Sequence, residues 1–218
     1  MKRISILIAM AGAVLAISLL SGPYLSTGKA QGTVGSDVDA PASNRGPFTL
    51  VDHDGQPVTE RAFLGTYMLV FFGYTHCPDV CPTDLQTMSI AMDMLGTAGE
   101  KVQPIFITID PERDSVETMA AYVGNFHPRL VGLTGTRAQV AAAATVYGVR
   151  FRKFYPWEVD DDGGDGDSEN QDGVDYLMDH SASIYLIGPD GGGLSRYPHG
   201  ILPEDIAADV REFMKSNH

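Results

Sequence analysis

Residues 67–85 read YMLVFFGYTHCPDVCPTDL, and this stretch decides the fold. Residues 67–72 form an unbroken apolar run, the pattern of a strand buried on both faces of a sheet. A helix is expected next, with Pro82 at its first position, where a missing N–H is no loss. Leu85, Met88, Ile90, Ala91, Met92 and Leu95 supply its buried side as far as Gly96. The only two cysteines, Cys77 and Cys81, thus stand between a buried strand and its helix. Sheets present ligands and catalytic groups there, beyond the carboxyl ends of their strands.

Outward from this unit the chain alternates. Residues 102–109 read as the next strand. Asp114-Ser115-Val116-Glu117 reads as a capping box, an acid before the helix and Glu at its third position, with the helix running to about Phe126. Residues 130–133 form a short apolar segment. Thr136-Arg137-Ala138-Gln139 caps a further helix that Gly148 ends, and residues 149–154 look like a strand. Upstream, residues 48–51 and 57–59 flank Asp52-His53-Asp54-Gly55, an N-terminal β-hairpin signal. Downstream, residues 183–187 and 194–197 form a second hairpin around Pro189-Asp190-Gly191-Gly192. A last helix from Pro203 buries Ile206, Val210, Phe213 and Met214. Strands and helices in alternation, then a terminal hairpin and helix, predict an α/β domain with a mixed central sheet over residues 46–218. Parallel β-α-β first and antiparallel hairpin last is the order of a thioredoxin-like fold.

The 218 residues are 44% hydrophobic and 20% charged, enough for one domain with a real core plus appendages. With 15 basic against 28 acidic side chains the net charge is −13, which argues against nucleic acid as a partner. Collagen-like, coiled-coil and disulfide-scaffold classes are excluded by composition and by the absence of a short repeat. Nine of the acids fall in residues 158–175 without a single base; apart from them the net charge is only −4. That segment reads as a solvated acidic insertion. Its Asp-x-Asp spacings fail the calcium loop, lacking Gly at the sixth and Glu at the twelfth place from Asp165.

The N-terminus reads as a membrane signal. Lys2 and Arg3 precede 25 uncharged residues, 4–28, of which 4–20 are almost wholly apolar. About 20 helical residues span a ~30 Å hydrocarbon layer, and the basic head stays cytoplasmic. A small-x-small cleavage site appears only at Gly28-Lys29-Ala30, ten residues past Leu20, so an uncleaved anchor over residues 1–28 is favoured over a signal peptide. Residues 29–45 read as a flexible tether. The domain beyond is expected outside the cytoplasmic membrane.

Cys81, just before Pro82, is expected at the helix N-cap, where unpaired N–H groups and the helix dipole favour thiolate. Were both cysteines helical, their Cβ atoms would lie about 5–6 Å apart, beyond the roughly 3.5–4.5 Å of a disulfide. Cys77 must then be in the loop if the pair oxidises. A passive disulfide gains little from so short a loop. A metal bridging both thiolates is less demanding. Asp179-His180-Ser181 immediately precedes the strand at 183, and in a thioredoxin-like order that loop faces the cysteines. Two thiolates and one imidazole suit Cu(I), Cu(II) or Zn(II), and ligand type alone does not choose among them.

FFGYTHCPDVCPTDL at 71–85, then Asp110-Pro-Glu-Arg-Asp114, Phe126-His-Pro-Arg129, Gly132-Leu-Thr-Gly135 and Asp179-His180, together resemble the Sco/SenC family, in order from about Pro47 to Phe213. The resemblance implies a membrane-anchored, thioredoxin-like copper protein that assists assembly of the binuclear copper centre of cytochrome c oxidase. It implies Cys77, Cys81 and His180 as copper ligands, and cysteines able to cycle to a disulfide. The implied partners are the oxidase's copper-binding subunit and other periplasmic copper carriers. The acidic insertion is longer and more charged than the compact family pattern. A thiol–disulfide reductase that keeps the oxidase's copper-site cysteines reduced is the rival reading. A peroxidase-like enzyme would want one activated cysteine and no His180.

The remaining candidates have plainer readings. Asp110 and Asp114 read as structural, Asp114 through capping. His76 either tunes Cys77 or points away. His53, His127, His199 and His218 read as surface or turn residues. Met88, Met92 and Met94 invite a Cu(I) reading, but Met88 and Met92 at i, i+4 fit a core stripe better.

Overall fold

The computed structural model describes residues 47–155 and 176–216. The expected anchor, tether and acidic insertion, and His218, lie outside the described residues. Among the described residues no helix is long and apolar enough to cross a membrane.

The apolar run becomes strand β3 (Tyr67–Gly73), in which every residue is buried. Alternate strand residues point to opposite faces, so total burial means that both faces of the sheet are covered. Helix α1 (Val80–Leu95) follows and leads to β4 (Val102–Thr108), which pairs in parallel with β3 from Tyr67↔Val102 to Gly73↔Thr108. Helix α2 (Val116–Val123) leads on to β5 (Val131–Thr134), parallel to β4. The N-terminal hairpin, β1 (Thr49–Asp52) and β2 (Pro57–Thr59), forms as expected and joins antiparallel to β5. Its turn uses Asp52 Oδ1, which accepts from the Asp54 and Gln56 amides, and Gly55 at φ +80°. Helix α3 (Arg137–Val146) starts on the expected capping box, Thr136 and Gln139 exchanging hydrogen bonds with each other's backbone.

Two short strands follow: β6 (Phe151–Phe154), and β7 (Leu177–His180) beyond the insertion. They pair antiparallel as a separate ribbon, with Phe151 opposite His180. The C-terminal hairpin, β8 (Ser183–Ile187) and β9 (Gly193–Pro198), adds antiparallel to β3. The seven-stranded order is β2-β1-β5-β4-β3-β8-β9, a mixed sheet with the cysteine strand inside it. Helix α4 (Pro203–Ser216) packs on α1; Ile206, Ala207 and Val210 are buried, with Phe213 and Met214 against the core.

Some local expectations need correction. Ile90, expected on the buried side of α1, is exposed. The α2 cap is Ser115, whose hydroxyl accepts from the Thr118 amide; Asp114 is fully buried and is used elsewhere. Helix α1 begins at Val80, after Asp79, so Cys81 is its second residue and Pro82 its third rather than N-cap and first. Pro82 is still within the first turn, where no intrahelical N–H is required. His180 ends a strand instead of lying in a loop, because residues 177–180 find a partner in β6.

Candidate metal centre

The site lies where β3 ends. Gly73 is its floor: a Cβ there would lie 2.7 Å from Cys81 Sγ and 3.0 Å from ring carbons of Phe71 and Phe106. Only glycine lets the sulfur sit this close to the strand. The chain then turns, with the Cys77 amide donating to the Tyr74 carbonyl.

The turn is held from below by Asp114. Its carboxylate accepts from the Thr75 amide (3.1 Å), the Thr75 hydroxyl (2.6 Å) and the Thr108 hydroxyl (2.6 Å). Burial raises its pKa, and the Thr108 and Thr75 hydrogen bonds oppose that rise. Asp110, also buried, accepts from Arg113 and from the Tyr176 hydroxyl (2.7 Å). Arg113 donates to the Tyr176 carbonyl and lies 3.7 Å from the centre of its ring. Tyr176 is four residues before His180. The segment from Asp110 to Asp114 therefore grips the cysteine loop with one end and the histidine strand with the other.

Cys77 is half-buried in the loop and Cys81 is wholly buried; the two are not joined by a disulfide. The Cys81 amide, at the helix N-terminus, points at Cys77 Sγ at 3.5 Å. His180 Nε2 lies 3.7 Å from Cys81 Sγ, while its Nδ1 stands 3.2 Å from the Ser181 carbonyl. With its proton on Nδ1 the ring donates to that carbonyl and offers the Nε2 lone pair to a metal, the arrangement of metal-binding imidazoles; with the proton on Nε2 it donates to the cysteine sulfurs instead. Phe71 and Tyr74 meet the imidazole edge-on at 6.3 and 6.1 Å and fix its plane.

The electrostatics reverse the expected roles of the sulfurs. Cys77 is the thiolate, its pKa pulled down to about 3 by hydrogen bonds from the Cys81 thiol, from His180 and from the helix-start amides, against the opposing effect of burial. Cys81 is pushed up, because its proton is shared with the Cys77 sulfur and because it is desolvated. One proton held between two sulfurs is what an incoming soft cation would displace.

The donor set fits such a cation. With metal–sulfur and metal–nitrogen bonds of about 2.3 and 2.0 Å, ligands ~120° apart stand ~3.7 Å from each other, and Cys81 Sγ and His180 Nε2 are 3.7 Å apart. Among the described residues no three His, Cys, Asp or Glu side chains form a closed cage. The Cys81–His180 pair is preset, and Cys77 stands beside Cys81 in the loop.

The other candidates fall outside this group. His76 turns to Thr75 and Asp114 and is half exposed. His53 accepts from the Gly132 amide, 79 residues away, and so ties the N-terminal hairpin turn to β5, whereas His127 accepts from the Arg129 amide within its own turn. Met88 and Met92 are core and Met94 is exposed. Sequence reasoning missed Gly73, Thr75, Arg113 and Tyr176, and it took His199 for a plain surface residue although it contacts the buried Asp84. Only Gly73 carried a signal, as a glycine closing an otherwise bulky strand.

An α/β domain with a mixed sheet, presenting a thiolate, a thiol and an oriented imidazole at one strand end, is a protein built for soft-metal or dithiol chemistry. The chain belongs to the SCO1/SenC family, whose pattern matches residues 36–215. It is 42% identical over 177 residues to the mitochondrial SCO2 homologue of Danio rerio, covering 80% of this chain and 58% of that protein. It is 41% identical over 172 residues to the mitochondrial SCO1 homologue of Homo sapiens, covering 78% and 52%. The chain thus spans little more than half the length of these curated relatives. Among solved structures it resembles Bradyrhizobium japonicum ScoI with copper bound (42% identity, TM-score 0.65, 77% of this chain and 98% of that one). Yeast Sco1 with copper bound is similar at 34% identity and TM-score 0.68, covering 78% and 88%.

Proposed function

We propose that this protein is a copper metallochaperone of thioredoxin-like fold that serves assembly of the binuclear copper centre of cytochrome c oxidase. Cys77, Cys81 and His180 hold the cargo. The observation that carries this reading is the 3.7 Å separation of Cys81 Sγ and His180 Nε2 beside a Cys77 thiolate. Copper-bound relatives in the same family support it. Two thiolates suffice for Cu(I), and the imidazole makes the site acceptable to Cu(II). Delivery is ligand exchange: an acceptor thiolate binds the copper as Cys77 lets go, with no change of oxidation state. Cys77 is the natural first leaver, being the more exposed sulfur.

The chain is anchored by residues 1–28 on the outer face of the cytoplasmic membrane, with its domain facing the periplasm and the copper-binding oxidase subunit, or other periplasmic copper carriers, as partners. Full-length protein stays with membranes after a high-salt wash. A mature soluble form beginning near Gln31 would establish a cleaved signal instead.

The second reading, reduction of the acceptor's disulfide, is favoured by the division of labour between the sulfurs. The Cys77 thiolate attacks the disulfide and expels one thiolate; the Cys81 thiolate, after losing its proton, attacks the mixed disulfide, leaving Cys77–Cys81 oxidised and the acceptor reduced. His180→Ala separates the two. As a chaperone, the variant loses most Cu(II) binding, keeps weakened Cu(I) binding and fails in oxidase assembly almost as badly as Cys77→Ser or Cys81→Ser. Full oxidase activity from His180→Ala cells at limiting copper would replace the chaperone by the reductase.

A further inference from the structure

Asp84 is a charged side chain that neither ligand binding nor the loop clamps use. It lies on α1 three residues after Cys81 and is 1% exposed. His199, on the turn after β9, donates from Nδ1 to Asp84 Oδ1 at 2.9 Å, with its own side chain 44% exposed. The other carboxylate oxygen, Oδ2, makes no hydrogen bond of ordinary geometry among the described residues. The Gly200 amide gives the carboxylate weaker support, and His180 acts on it through space. Its influence reaches Cys81 as well. An acid is thus retained inside the fold with one oxygen left over, one helical turn from a metal ligand.

We propose that Asp84, held in place by His199, is a positioning residue that sets the oxidation-state preference of the copper site in favour of Cu(II). The inference rests on the copper reading above. Two thiolates and a neutral imidazole around Cu(I) carry a net charge of −1, whereas around Cu(II) they are neutral. A fixed anion beside the site opposes the first state and leaves the second untouched. Residues i and i+3 of a helix have Cβ atoms about 5–6 Å apart. At roughly 8 Å, in an environment of effective dielectric ~20, one charge shifts such a ratio by about tenfold or more. Burial raises the Asp84 pKa and the hydrogen bond from His199 opposes that rise, so the half-exposed His199 is what holds the carboxylate in its charged form.

The test compares full-length parent, Asp84→Asn, Asp84→Glu and His180→Ala proteins. Cu(I) and Cu(II) affinities are measured separately by competition with chromophoric chelators, the Cu(II)/Cu(I) potential by redox titration, and packing of the metal-free proteins by near-UV circular dichroism. Asp84→Asn keeps the shape and removes the charge. It is expected to lower the Cu(II)-to-Cu(I) affinity ratio about tenfold, which for one electron is a potential about 59 mV higher. Asp84→Glu restores the parent ratio. A ratio for Asp84→Asn within twofold of the parent overturns the proposal, as does equal weakening of both oxidation states, which is a structural defect. A parent that binds no copper, or a His180→Ala protein that binds both ions as the parent does, overturns the site assignment itself, a result distinct from failure of the Asp84 proposal.

Discussion

Replacing Gly73 by alanine puts one methyl group where the structure has least room. The new Cβ would stand 2.7 Å from Cys81 Sγ, and ordinary contact begins at 3.4 Å, so the sulfur must retreat by ~0.7 Å. The rings of Phe71 and Phe106, at 3.0 Å, must give by ~0.4 Å as well. None of the three has anywhere to go: all are fully buried, and Cys81 is tied to the first turn of α1. Overpacking of this kind costs about 1–3 kcal/mol, of which up to about 1 kcal/mol returns because alanine loses less backbone entropy than glycine in a strand. A net loss of about 1–2 kcal/mol is expected in urea unfolding of the metal-free protein. The effect on copper is larger, because ligand distances tolerate only about ±0.2 Å. Affinity for both oxidation states falls at least tenfold, measured by chelator competition. A Gly73→Ala protein as stable as the parent and with undiminished copper affinity would refute the reasoning that the strand backbone forms the floor of the site.

Asp114→Ala strips three hydrogen bonds from Thr75 and Thr108 and leaves the buried Thr108 hydroxyl and the part-buried Thr75 amide without their acceptor, so it costs at least about 2 kcal/mol in urea unfolding; a change under about 0.5 kcal/mol would mean that the loop is held by something else. In the reduced, metal-free protein Cys77, with its pKa pulled down to about 3, is thiolate at pH 5, whereas the pKa of Cys81 is raised and it stays protonated. Iodoacetamide at pH 5 should therefore label Cys77 alone, as read by peptide mass mapping, and preferential labelling of Cys81 would reverse the assignment. Deleting residues 160–172 should leave the melting curve and copper stoichiometry unchanged, since that composition supplies no core and loop closure depends weakly on length; loss of metal would show that the acids help position His180.

Where local pattern and local contacts coincide, the chain could be read directly. The run 67–72 is a strand because every second residue on either face is apolar, and the structure covers both faces. The Thr136–Gln139 box and the Ile206–Val210 stripe are short-range signals with short-range causes. Asp114 shows the limit. Its neighbourhood reads as a cap, yet Ser115 does the capping and the acid is drawn inward by Thr75, 39 residues away. His199 failed for the same reason, its partner Asp84 being 115 residues distant. Strand β7 is too short to announce itself and exists through its pairing with β6 across the insertion.

By itself the sequence determined the inventory: an α/β domain, two cysteines four positions apart at the end of a buried strand, and one histidine placed to meet them. The tertiary structure alone decided which sulfur carries the charge, how near the imidazole stands, and that Gly73 makes the room. Periodicity and spacing act through the nearest few residues, whereas ionisation and metal geometry follow from burial and from contacts that β3, α1 and the β6–β7 ribbon make only once they are packed together.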